Sequence, residues 1–163
     1  MMIIPLIDGK RHVKVDDIWY PVLAQWRWWN SNGYAASSLG LQMADRGYRV
    51  VLMHRYIMAP GKTYVVDHIN RNRLDNRTSN LRIATAAENN LNSGPRGGKR
   101  YKGVQYDKKR HLYIASVVMK GKKIIVGEYE KEIEAAIAYN IAAQHYIGAF
   151  AYQNPINELL LAS

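Results

Sequence analysis

Four polar side chains between positions 67 and 89, namely Asp67, His68, Asn80 and Asn89, carry the groups needed for metal-assisted hydrolysis of a phosphodiester. A carboxylate and an amide carbonyl are oxygen donors suited to sharing one hard divalent cation, and Mg²⁺ fits that set best. His68 follows Asp67 directly, so on a strand it points to the opposite side and would approach the scissile phosphate from beside the ion. Imidazole is the one side chain whose ordinary pKa lets it take a proton from water near neutrality. A cation can stabilise the leaving 3′-oxygen and the charge developing on phosphorus. Asn80, twelve residues after His68, would hydrogen-bond across the intervening loop and hold both it and His68 in place.

The elements that must position these groups are legible around them. A strand ends at Asp67-His68, a loop runs through Asp75-Asn76-Arg77, a second strand covers Leu81 to Ala84, and Thr85 caps a helix carrying Asn89. In such a β-loop-β-helix unit the end of the first strand and one face of the helix point into the same crevice. Asn90 rivals Asn89 for the ligand role. Upstream, apolar runs at Ile3 to Ile7, Tyr34 to Ser38 and Tyr48 to Met53 read as short strands separated by turn-rich pieces such as Asn30-Ser31-Asn32-Gly33. Pro21 to Gln25 reads as a short helix with Pro in its first turn. Trp19, Trp26, Trp28 and Trp29 are read as the core of a small sheet in preference to base-stacking residues, because large aromatics dominate burial in small domains.

The strings D-H-I-N from Asp67, L-D-N-R-T-S-N-L-R-I-A-T from Leu74 and E-N-N-L-N from Glu88 resemble the HNH endonucleases with a ββα-metal finger, specifically the homing group borne by introns and phages. The resemblance covers about residues 1 to 92. It implies that Asp67 and Asn89 bind the divalent ion, Mg²⁺ or Mn²⁺, that His68 is the general base, and that Asn80 orients the loop. The blander reading makes Asp67 and Asn80 turn and capping residues and His68 an ordinary partly buried imidazole. His54, in the string M-H-R, is read as pinning its strand to the hairpin in preference to touching substrate, since it precedes an apolar, helix-like Tyr56-Ile57-Met58. Arg71, Arg73, Arg77 and Arg82 flank the hairpin, where they would grip a phosphate backbone without reading bases.

Further on, Asn92 to Arg100 reads N-S-G-P-R-G-G-K-R, a composition unsuited to helix or strand, and marks a linker. After it come strand-like runs Lys102 to Tyr106, Leu112 to Met119 and Ile124 to Tyr129, then a helix from Glu132 with Ile133, Ala136, Ile137, Ile141 and Ala143 to Tyr146 on its apolar side and Gly148 as its stop. Residues about 101 to 154, including Y-K-G-V, V-G-E-Y and E-A-A-I-A-Y-N-I-A-A, resemble the Apetala-type, ethylene-response-factor DNA-binding domain. That resemblance implies a three-stranded sheet entering the major groove, with Lys102, Gln105, Ser116, Val118, Lys123 and Ile125 at the contacting positions. The chain departs from the family in having no Arg or Trp there, which weakens base reading by bidentate Arg. Alternation puts Ala115 and Val117 toward the helix and Ser116, Val118, Lys123 and Ile125 outward. Lys108, Lys109, Arg110, Lys120 and Lys122 would add backbone affinity.

The charge distribution agrees with a polyanionic partner. The 163 residues hold 23 Lys and Arg against 13 Asp and Glu, and 11 basic against 3 acidic groups fall between 96 and 131. Zero Cys excludes disulfide scaffolds, thiol catalysis and Cys-based zinc sites, so any metal uses O or N ligands. No apolar run nears the roughly 20 residues of a membrane span and the N-terminus lacks a signal-peptide core, so a soluble, cytoplasmic protein is expected. Together these readings predict an α+β chain: an HNH nuclease domain at 1–92 with a small sheet and the hairpin-helix, a basic linker at 93–100, a DNA-binding domain at 101–154 with a three-stranded antiparallel sheet on one helix, and a tail at 155–163. The expected function is a site-directed, homing-type endonuclease acting on double-stranded DNA as a monomer or homodimer. The alternatives are a non-catalytic DNA-binding regulator and an RNA-directed protein.

Overall fold

The computed structural model describes residues 1–38 and 50–156. The chain divides into two compact units, Met1–Asn89 and Asn90–Ser163. Both are mixed α and β with small antiparallel sheets, the α+β class expected.

Among its described residues the first unit holds three small sheets. β1 (Met2–Pro5) pairs with β2 (His12–Val15), and alternation buries Ile4, Val13 and Val15 on one face. A short helix α1 (Tyr20–Leu23) follows, with Pro21 in its first turn. β3 (Trp29–Ser31) and β4 (Tyr34–Ser37) are joined by Asn32-Gly33, both at positive φ, the residue pair that a two-residue hairpin turn requires. β4 also pairs with β5 (Val51–Leu52), which runs into α2 (Met53–Met58). The Tyr48-Arg49 start of the strand expected there lies outside the described residues. β6 (Val65–His68) pairs with β7 (Leu81–Ala84), and α3 (Ala86–Leu91) follows.

Leu23, Trp28, Met53, Ile57, Val66 and Leu81 join the β1–β2 residues in one core. Trp28 is 1% exposed and its Nε1 donates to the Leu23 carbonyl at 2.8 Å, while Trp19 and Trp26 pack against the core's edge. These three tryptophans are therefore core and rim of a small domain. Among the described residues Trp28 is the one aromatic in the buried cluster, which is otherwise made of aliphatic side chains and Met53.

The second unit is a meander of β8 (Val104–Asp107), β9 (Leu112–Met119) and β10 (Lys122–Tyr129), ordered β10-β9-β8, with α4 (Glu132–Ile147) packed on it. Ala115 and Val117 are fully buried, and so are Ala135, Ala136 and Ala143 of α4, so small side chains set a close approach of helix and sheet. The buried stripe of α4 is Ile133, Ala135, Ala136, Tyr139, Ala142 and Ala143. The expected placement of Ile141 and Tyr146 on that side is corrected: they are 68% and 43% exposed. The stripe turns about Tyr139 because its ring fills the space left over Gly103, which lies at φ +75. Asn154 ties the C-terminal segment down. It accepts from Lys102 N and donates to Lys102 O, and its backbone exchanges hydrogen bonds with the Asn140 amide. Among the described residues no helix is long and apolar enough to cross a membrane.

Candidate active site

β6 and β7 set the site's frame. The register pairs Asp67 with Arg82 and His68 with Leu81, so Asp67 and His68 fall on opposite faces of one hairpin. Both are only 4% exposed. Arg82 donates to Asp67 Oδ2 from Nε at 2.8 Å and from Nη2 at 2.6 Å, which fixes the orientation of the carboxylate. At the start of α3, Thr85 and Glu88 form a capping box. Glu88 N donates to the Thr85 hydroxyl at 3.2 Å, and Thr85 N donates to Glu88 Oε2 at 2.7 Å, which holds the Glu88 carboxyl below its usual range. Asn89 is then half-buried on α3 whereas Asn90 is exposed.

The loop between β6 and β7 is held at both sides. Asn80 Oδ1 accepts from Asn70 N at 2.9 Å and its Nδ2 donates to the Asp75 carbonyl at 2.8 Å, closing the loop across its neck. Asp75 is 2% exposed, takes two hydrogen bonds from Arg77 and one from Asn70 Nδ2, and is held below the usual carboxylate range chiefly by Arg77. The loop is also sewn to β2: Lys14 N donates to the Leu74 carbonyl and Asn76 N to the Lys14 carbonyl, both at 2.8 Å. Thr78 donates from N and Oγ1 to Asp16 Oδ2.

His68 looks into this frame. Its Nε2 lies 3.0 Å from Asn76 Oδ1, and Asn76 is completely buried. The rings of His54 and Tyr34 lie 5.1 and 5.9 Å from that of His68, and Tyr34 is covered by the Arg73 guanidinium at 4.5 Å. Burial lowers the pKa of His68, and Asn76, Asp67 and Asp75 oppose the shift without reversing it, so the ring is neutral at neutral pH. A buried neutral imidazole beside a carboxylate can accept a proton.

His54 is pushed down further, to about 3, by burial first and then by His68, Arg55 and Arg73. It sits 5% exposed in α2, its Nδ1 without a hydrogen-bond partner among the described residues. An unfolded chain binds this proton at about 6.5, so acid favours unfolding: the stabilisation is complete above that value and is lost as pH falls toward 3. Urea midpoints are therefore expected to drop between pH 7 and pH 5, above the main carboxylate range, with a shallower drop in His54→Phe. An unchanged slope in that variant would place the titrating group elsewhere.

The other sequence-selected residues are placed as follows. Arg77 and Arg82 form ion pairs with Asp75 and Asp67, and Arg73 donates to the Asn32 carbonyl; Arg71 is exposed at φ 64. In the second unit Val118 faces Lys123 and Ser116 faces Ile125 across β9 and β10, so these four share a face on which Val118 and Ile125 are 55% and 54% exposed. Gln105, Lys108 and Lys120 are exposed. Arg110 is gripped by Asp107 at 3.0 Å and Glu128 at 2.5 Å. Lys102 stands apart from the sheet face, its Nζ donating to the carbonyls of Leu91 and Ser93 at 2.7 and 2.8 Å. Sequence reasoning missed Asn76 and Tyr34. Asn76 stood inside the D-N-R string, yet nothing local says that its side chain turns back to the strand end.

The oxygen donors expected to hold a cation are the Asp67 carboxylate and the Asn89 amide. Among the described residues no three His, Cys, Asp or Glu side chains converge as a self-sufficient cage. Such a sparse oxygen set fits Mg²⁺ or Mn²⁺, ions that keep several waters and take phosphate oxygens as ligands, and the Arg82 grip is the kind of support a ligating carboxylate receives.

Residues 51–91, which span α2, the β6–β7 hairpin and α3, match the HNH endonuclease family. An uncharacterized HNH endonuclease of Acanthamoeba polyphaga mimivirus is 34% identical over 140 residues, 85% of this chain and 72% of the viral protein. The chain belongs to the HNH endonuclease family. Membership carries nuclease chemistry, DNA as partner and the general use of a divalent metal.

Proposed function

We propose that the protein is a site-directed, homing-type DNA endonuclease in which His68 is the general base, Asn80 secures the loop, and Asp67 and Asn89 hold Mg²⁺ or Mn²⁺. One observation carries this reading: a buried, neutral imidazole follows directly on an arginine-oriented carboxylate at the end of a hairpin that leads into a capped helix. His68 takes a proton from water as the water oxygen bonds to phosphorus, and the P–O3′ bond breaks. When bound, the cation supplies charge stabilisation at the scissile phosphate and the departing oxygen. The test is incubation of the full chain with supercoiled plasmid and Mg²⁺, with EDTA as control. Relaxed or linear product that EDTA abolishes is expected; intact plasmid on DNA that the protein demonstrably binds would favour a non-catalytic regulator.

The second unit, similar in sequence to the Apetala-type domain, is proposed to place the nuclease on its site. Support comes from the shared outward face of Ser116, Val118, Lys123 and Ile125, bordered by exposed Gln105, Lys108 and Lys120. The 11 basic against 3 acidic groups between 96 and 131 would displace counter-ions from the backbone. Two modules on one chain raise each other's effective concentration on a long target, as a homing enzyme requires. Lys123→Ala is expected to reduce the slope of log affinity against log salt by about 0.9, one phosphate contact. Lys102→Ala, which removes two hydrogen bonds to backbone carbonyls, is expected to lower the melting temperature with little change in that slope. Binding followed by fluorescence anisotropy across a salt series separates the two, and an unchanged slope in Lys123→Ala would move the interface off this face.

A further inference from the structure

We infer that Val118 and Ile125 are specificity residues that pack on the C5-methyl groups of thymine in the DNA major groove, so that thymines mark the site the second unit selects. The inference rests on the reading of the β9–β10 face as a DNA surface and goes beyond it by naming the base which that face recognises. Two branched apolar side chains stand in the open there. Val118 faces Lys123 and Ser116 faces Ile125 across the two strands, so Val118 and Ile125 are diagonal neighbours on one face, 55% and 54% exposed. Diagonal neighbours lie roughly 7–8 Å apart, within reach of bases one or two steps apart along a duplex.

The charge around this pair decides what covers it. Lys120, Lys122 and Lys123 are exposed in and beside the turn that joins β9 to β10, and a groove running from Val118 to the segment before β8 is lined by exposed Arg96 and Lys99. Glu128, opposite Ile114 on the same face, is neutralised by Arg110. Cations at the turn and along the groove repel a second copy of this chain, and they suit the phosphate chains that border a DNA groove. Within the major groove the apolar feature that a base pair presents is the thymine methyl. Guanine is read instead by a bidentate Arg, and Arg110, which reaches this face, is taken up by Asp107 and Glu128. Gln105, also opposite Ile114 and exposed, carries the amide that pairs with N6 and N7 of adenine, the partner base of thymine. The polar and apolar groups of the face therefore point to the same base pair.

Uracil differs from thymine by that methyl alone and keeps the base pairing and the phosphates, so it isolates the contact. A duplex site is first selected by the full chain from a random-sequence library in EDTA, and each thymine is then replaced in turn by uracil. The expected result is a ~3–5-fold loss of affinity at one or a few positions, the worth of one buried methyl, with the slope of log affinity against log salt unchanged. In the Val118→Ala, Ile125→Ala double variant the uracil penalty is expected to disappear, because the thymine duplex weakens and the uracil duplex does not. Both side chains are exposed, so truncation leaves the core in place, and melting curves verify it. No loss at any uracil position would overturn the inference, as would a loss that persists undiminished in the double variant. A double variant that binds DNA as wild type does but sediments as a smaller species would assign the patch to self-association and overturn it too. Failure of the underlying reading looks different: Lys123→Ala then leaves the salt slope unchanged, whereas a reduced slope without any uracil effect removes the thymine assignment alone.

Discussion

His68→Ala is expected to lower the single-turnover rate of DNA cleavage by ~10²–10⁴, the usual contribution of a positioned general base, while leaving DNA affinity within about twofold. The asymmetry follows from where the ring sits. It is 4% exposed, enclosed by His54, Tyr34 and Asn76, and uncharged at neutral pH, so it contributes nothing to the electrostatic attraction that dominates binding. Removing it deletes the proton acceptor. The same change opens a small void in the first unit, so melting curves of the variant belong beside the rate. A folded, DNA-binding protein with a collapsed rate is the expected combination. A rate within threefold of wild type would remove His68 from the chemistry.

The largest stability loss is expected for Gly103→Ala. Gly103 lies at φ +75, a region that costs an L residue ~1–2 kcal/mol. A Cβ there would also lie 2.6 Å from the Ser116 carbonyl oxygen and overlap the Tyr139 ring. Neither neighbour can yield cheaply. Ser116 belongs to the central strand β9, where its N–H donates to the Gly103 carbonyl at 2.8 Å, and Tyr139 is 2% exposed at the centre of the α4 stripe. Overpacking and backbone strain together are expected to destabilise the second unit by about 3–5 kcal/mol, read as a shift in its urea midpoint. Gly121→Ala also sits at positive φ but with nothing near its Cβ, so it isolates the backbone part and should cost about 1–2 kcal/mol. Equal losses in the two variants would show that the Tyr139 contact carries no weight.

Local signals made much of this legible. The strand Leu81–Ala84, the Thr85 cap, the strand Leu112–Met119 and the helix bounded by Glu132 and Gly148 all announce themselves through alternation, a capping residue or a glycine stop. The helix face was less legible, because Ile141 is as apolar as anything buried; only the closeness of helix and sheet, set by Ala115 and Gly103, decides that Tyr139 and the alanines go inward. In the site, residue types pointed to Asp67, His68, Asn80 and Asn89. What stayed hidden were pairings made across space: Arg82 opposite Asp67 depends on hairpin register, and Asn76 reaching His68 depends on how the loop is sewn to Lys14 in β2. Lys102 shows the converse. Its type and place suggest a phosphate contact, yet backbone carbonyls nearby claim its ammonium.

Mn²⁺ bound by the protein–DNA complex, counted by electron paramagnetic resonance in wild type, Asp67→Ala and Asn89→Ala, tests most directly whether hairpin and helix share one ion. The account predicts one Mn²⁺ per chain in the wild type, at an affinity lowered at least tenfold by either substitution while DNA remains bound. Undiminished Mn²⁺ affinity in both variants would contradict it.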